Sequence, residues 1–188
     1  MTVLPHSVTL PVLGIRTRFE TNEPAMLEIV DEAFGVWSAL GRHDVLDADA
    51  QSVVRVRIEV DPDGRDDGPV ARGAPMSHEM SDDLHFVARC AGSVAESDPA
   101  RRLATIHATR ALVADRARFR TEMLEAVVLA LLSCYDRHPV HAAAVAHRGH
   151  ALLLAAPSGT GKSTIAYLCH AAGLDPVSYT HLTLPTKA

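Results

Sequence analysis

The chain has 188 residues, enough for one domain or two small ones. An apolar fraction of 47% supports a packed core, and a charged fraction of 22% is ordinary for a globular protein. A net charge of -5 excludes a general electrostatic pull toward nucleic acid or an anionic membrane. The cysteines, Cys90, Cys134 and Cys169, are odd in number and lack metal-ligand spacing, which fits a reducing compartment. The N-terminus has no basic region followed by an apolar one. The longest apolar run, 126–134, is far too short for a membrane span. The expectation is a soluble cytoplasmic protein with neither nucleic acid nor membrane as partner.

In chain order, 8–18 is β-rich and interrupted by Pro11 and Gly14. Glu23-Pro24 opens a helix to about Leu40, whose Met26, Ile29, Val30, Ala33, Phe34, Trp37 and Leu40 share one face. Phe34 and Trp37 read as core, with ligand stacking by Trp37 as the alternative. Residues 52–60 alternate Val54, Val56 and Ile58 with Arg55, Arg57 and Glu59, the pattern of a half-buried strand. From Asp61 to Asp83 the sequence is rich in Gly, Pro and Asp and reads as a mobile surface loop without Ca²⁺-binding spacing. Residues 84–90 and 102–113 read as strands, with short turns between. The basic stretch 110–120 reads as a solvated helix face. A second helix is expected over 118–136, with Leu124, Val127, Val128, Leu131 and Leu132 buried, ending at His138-Pro139.

An apolar strand over 140–146 then turns at Arg148-Gly149 into a second apolar strand, 151–156. So short a turn requires an antiparallel pair. His138, His141, His147 and His150 cluster here, but a hairpin distributes them over both faces. One functional His among surface ones is a better reading than a metal site.

The second strand runs into Ala156, Pro157, Ser158, Gly159, Thr160, Gly161, Lys162, Ser163 and Thr164. This is the phosphate-loop pattern G-x-x-x-x-G-K-[ST] with Ala in place of the first Gly. The chemistry explains the residue types. Backbone N–H groups around a concavity can cradle phosphate oxygens. Lys162 can reach the β- and γ-phosphates of ATP, and the Ser163 hydroxyl can ligate Mg²⁺. A helix from about Lys162 to Ala172 would point its positive end at the anion and stop at Gly173.

The stretch from His141 through Ser163 resembles the core of the HPr kinase/phosphorylase family and its serine-kinase-like relatives, which resemble the phosphoenolpyruvate carboxykinases in fold. The resemblance covers residues 140–174. It implies an α/β P-loop nucleotide-binding fold of HPr kinase type, truncated after its first helix, behind an N-terminal α+β region. It implies ATP and Mg²⁺ as cofactors, with Lys162 and Ser163 on phosphate and metal. His141 would act as a catalytic residue beside the transferred phosphoryl group. A Ser or other hydroxyl of a protein or peptide would be the acceptor, and a homo-oligomer is left open.

The family also implies a pair of Asp residues on the next strand, where this chain has Tyr179 and Thr180. That departure removes the expected base. Residues 177–182 resemble what a transposon-end sequencing adapter encodes, so 177–188 reads as a non-native tail and the fragment as inactive. The expected organisation is 1–116, an N-terminal region; 117–176, the start of the kinase-like domain; and 177–188, the tail. The rival functions are an ABC-type or other P-loop ATPase and a non-catalytic nucleotide-sensing protein.

Overall fold

A computed structural model describes residues 3–39, 53–61, 74–140, 142–157, 159–177 and 182–185. The chain is mixed α/β and divides into two compact units, Met1–Tyr135 and Asp136–Ala188.

The first unit opens with a hairpin of β1 (His6–Val12) and β2 (Ile15–Thr21), paired antiparallel up to Val12 opposite Ile15. Its two-residue turn has φ 51° at Leu13 and 78° at Gly14. Both values lie in the left-handed region that matches the twist of a hairpin. Leu13 bears the strain of a side chain there, but it is only 3% exposed, so burial offsets that strain. α1 (Ala25–Phe34) buries Met26, Ile29, Val30 and Phe34, and Phe34 stacks on Phe19 of β2 at 5.4 Å between ring centroids. After Gly35 a short α2 (Val36–Ala39) follows; the expected end at Leu40 lies outside the described residues.

β3 (Val54–Val60) alternates as expected, with Val54, Val56, Ile58 and Val60 buried. The rest of the sheet is β4 (Ser77–Met80), β5 (Phe86–Cys90), β6 (Ser93–Asp98) and β7 (Leu103–Ala108). The seven strands lie in the order β1-β2-β3-β7-β6-β5-β4, with β2–β3 and β3–β7 parallel and the other pairs antiparallel. Asn22 extends the β2–β3 junction: its side chain donates to the Val60 carbonyl at 2.8 Å and accepts from the Val60 N–H at 2.9 Å.

Helical segments α3 (Arg110–Ala114), α4 (Arg116–Arg118) and α5 (Glu125–Ser133) complete the unit, with a wider π-helical stretch over Phe119–Leu124. Phe119, Met123, Leu124, Val127, Val128, Leu131 and Leu132 are fully buried in one cluster with Phe19, Val56 and Ile106. Helices therefore cover one face of the sheet, and mostly polar residues, with Val87, Val94 and Leu103 among them, line the other.

The second unit has β8 (Arg137–Val140), β9 (Ala142–His147), β10 (His150–Ala155), α6 (Lys162–Ala171), β11 (Asp175–Val177) and β12 (Leu182–Pro185). Three strands form a sheet in the order β10-β9-β11, with β9 antiparallel to both neighbours. β10 and β11 therefore run in the same direction, joined by α6, with β9 between them. The hairpin expected at Arg148-Gly149 is present, with His147 opposite His150.

Several expectations are corrected. Residues 102–113 are not one strand. β7 stops at Ala108 because Thr109 caps α3, its hydroxyl accepting from the Leu112 N–H at 3.3 Å and its own N–H bonding Ser93 Oγ at 2.9 Å. β6 falls in a stretch read as turn, and β4 lies within the stretch read as loop. Residues 62–73 of that loop are outside the described residues. The long helix belongs to the first unit, because its apolar residues are buried against the seven-stranded sheet. The division thus comes after Tyr135 rather than after residue 116. In the stretch read as a tail, β12 pairs antiparallel with β8, with Leu182 opposite Val140. The alternation Leu182-Thr183-Leu184 suffices for such a pair whatever its origin.

Candidate functional site

β10 delivers the chain into the loop and α6 carries it away, as a phosphate loop requires. The turn is made by Gly159 (φ 79°) and Gly161 (φ 89°), both left-handed. A Cβ added to either would meet nothing within 4 Å, so both positions border open space. α6 makes its first backbone bond from the Ile165 N–H to the Gly161 carbonyl, 2.9 Å. The N–H groups of Lys162, Ser163 and Thr164 precede that bond, and helix geometry offers them no acceptor within α6. Ser163 and Thr164 are exposed.

The loop is also held from within. Lys162 Nζ donates to the carbonyls of Ala156 at 2.7 Å and Pro157 at 2.9 Å. Thr160 Oγ1 donates to the Pro157 carbonyl at 2.7 Å. Sequence reasoning aimed Lys162 only outward, at phosphate, and gave Thr160 no separate role; these bonds to the loop's own carbonyls were not legible in the motif.

Behind the loop, Ala166 faces Ala143 and Val145, with Leu154, Cys169 and Leu174 around them. The far end of α6 closes in a Schellman turn, the Leu174 N–H on the Cys169 carbonyl at 3.0 Å and the Gly173 N–H on that of His170 at 2.9 Å.

Strand register locates the remaining candidates. Ala142, which follows His141, is level with Ala155. The chain therefore enters β9 at the end of the sheet where the loop begins. His141 itself and Ser158 lie outside the described residues. Asp175 pairs with Ala146, which also faces Ala151. It is thus four residues short of Ala155, roughly 13 Å along the strand. A carboxylate level with Ala155 would stand four positions further on, where the sequence has Tyr179. Tyr179 and Thr180 lie outside the described residues.

The donor set is one ammonium, backbone amides and the hydroxyls of Ser163 and Thr164. It fits a polyphosphate anion. It gives Mg²⁺ one protein oxygen, Ser163 Oγ, so phosphate oxygens and water would complete the shell. Among the described residues no three His, Cys, Asp or Glu side chains converge on a metal position, and no helix is long and apolar enough to cross a membrane. Comparison with protein-family models, curated proteins and solved structures returned no match.

Proposed function

We propose that the chain is a P-loop nucleotide-binding protein of HPr kinase type, with Mg·ATP held at residues 156–164. The observation that carries this reading is the strand–loop–helix with left-handed Gly159 and Gly161 and with Lys162 anchored at the loop. A polyphosphate would take Lys162 from its two carbonyls and bind the free N–H groups at the start of α6, assisted by the helix dipole. Mg²⁺ would neutralise charge on the phosphates, with Ser163 as its protein ligand.

The chemistry in this reading moves the γ-phosphoryl group to a hydroxyl of a protein or peptide. The acceptor oxygen bonds phosphorus, the bond to the leaving oxygen of ADP breaks, and the hydroxyl proton must go to a base. His141, the residue that precedes β9 in sequence, is the candidate to assist this step. Asp175 is too far along β11 to serve. We expect nucleotide binding with little or no transfer, and Tyr179→Asp to raise transfer.

Titration calorimetry with Mg·ATP tests the binding. Lys162→Ala should weaken it by tenfold or more, about what losing a charge-assisted contact of at least 1.4 kcal/mol implies. Absence of binding by the unaltered chain would end the proposal. Labelled-phosphate transfer to a serine peptide tests the reaction, with His141→Ala expected to keep binding and lose whatever transfer exists. ATP hydrolysis that needs no acceptor would instead favour an ATPase.

A further inference from the structure

The open face of the seven-stranded sheet carries a block of four arginines on its two adjacent parallel strands, β2 and β3. Arg16 and Arg18 project from one, Arg55 and Arg57 from the other, and Arg18 lies directly opposite Arg55. Like charges facing each other across a strand pair are unfavourable, and sequences usually alternate the sign at such positions. The neighbouring carboxylates pair with half of the block, Arg18 and Arg57, and Glu20 also stands opposite Arg57 across the strands. Glu20 pairs with Arg18 at 2.9 Å. Glu59 is 3.7 Å from Arg57 and 3.5 Å from His107. Among the described residues, Arg16 and Arg55 have no ion-pair partner. Arg57 Nε is buried without a hydrogen-bond partner, a condition no other described side-chain nitrogen or oxygen shares. That atom is out of a docking chain's reach; the groups a partner could meet are the exposed Arg16, Arg18 and Arg55.

We propose that this face docks an extended acidic segment of a partner polypeptide. The charge excess calls for an anion, and guanidinium groups hold carboxylates in paired hydrogen bonds. The surface is a flat array and not a cup. Its arginines repeat at about 6.8 Å along each strand, the spacing of alternate side chains on an extended peptide. Nucleic acid fits less well. Among the described residues no Phe, Tyr or Trp of the strands stands on this face to stack a base, because Phe19 and Phe86 point into the core. The large exposed apolar side chains lie elsewhere, none of them on β2 or β3, so a lipid surface has no apolar anchor here.

Fluorescence anisotropy on the whole chain tests this, with a labelled oligo-glutamate peptide as probe and an oligo-glutamine peptide of equal length as control. Binding is expected only for the acidic peptide, falling as salt is raised. The double variant Arg16→Ser/Arg55→Ser should bind about tenfold or more weakly, two rim charges being worth roughly that together. Arg116→Ser, on the helical layer, should bind as the parent chain does. Both arginines are exposed, so the double variant is expected to keep its circular dichroism spectrum and melting point. Failure to bind oligo-glutamate at low salt overturns the proposal, as does equal binding by the double variant. A single-stranded oligonucleotide that binds more tightly than the peptide, and loses affinity in the same variant, overturns it in favour of nucleic acid.

Discussion

The two units solve the same problem with very different resources. In Met1–Tyr135, Phe19, Phe34, Phe119, Ile58 and Ile106 are completely enclosed between one sheet and its helices. In Asp136–Ala188 the cluster behind the loop is built on Ala143, Val145 and Ala166, while Leu152, Ile165, Tyr167 and Leu168 are about half exposed or more. Small residues in β9 bring the backbone of the loop strand close but contribute little buried area per residue. The lesson is a division of labour: stability is concentrated in the first unit, and the glycine-rich, weakly buried chemistry of the second has little of its own.

Separating the two should break this contrast most visibly. A fragment of residues 1–135 should unfold cooperatively in urea, whereas 136–188 alone should give no cooperative transition, since so small a unit rarely buries enough surface. A cooperative 136–188 fragment would refute the contrast. Core truncation comes next. Phe19→Ala, which removes the stack on Phe34, should destabilise the first unit by about 3–5 kcal/mol, while Leu154→Ala, behind the loop, should cost clearly less. Equilibrium unfolding monitored at Trp37 and by circular dichroism would rank them.

Loss of the Thr109 cap should be a smaller effect. Thr109→Ala is expected to cost about 1 kcal/mol, all of it in the first unit. Gly161→Ala should cost roughly 1–2 kcal/mol from the left-handed backbone alone, because open space and not crowding surrounds the position. Its effect should appear as faster amide exchange in α6 with the first unit unchanged.

The smallest expected effect is alkaline. Burial pushes the Cys134 thiol and the Tyr135 hydroxyl above their ordinary values. The unfolded chain then loses these protons first. Their contribution is complete below about pH 8.5, the ordinary thiol value, and fades as pH rises through the raised folded values. A pH series of melting temperatures should show a shallow fall above that point, and alkylation of Cys134 should be slower than that of a free thiol.

Sequence periodicity revealed those parts of the fold where one pattern ran long enough. The alternation of 54–60 and the apolar spacing of Met26, Ile29, Val30 and Phe34 are such cases. It failed where a single side chain redirects the backbone. Thr109 turns a strand into a helix by accepting one hydrogen bond, and the bland Ser93-to-Asp98 run becomes a strand because β5 and β7 flank it. The helix of 118–133 was visible, but its allegiance was not, since burial on most sides does not say against what. At the candidate site the residue types and the hairpin were legible from the motif. The position of Asp175 needed the strand register, and the arginine block needed the pairing of β2 with β3, two strands separated by a whole helix in sequence.

The bonds from Lys162 to Ala156 and Pro157 have one more implication. They tie the Ala156 and Pro157 carbonyls to the start of α6 with the very charge that an anion would take over in the proposed reading. The ordering cost of the loop is then met during folding and not at the moment of association, which favours binding through preorganisation. The lysine has only to exchange one set of oxygens for another. In the proposed reading, entry requires breaking two local hydrogen bonds.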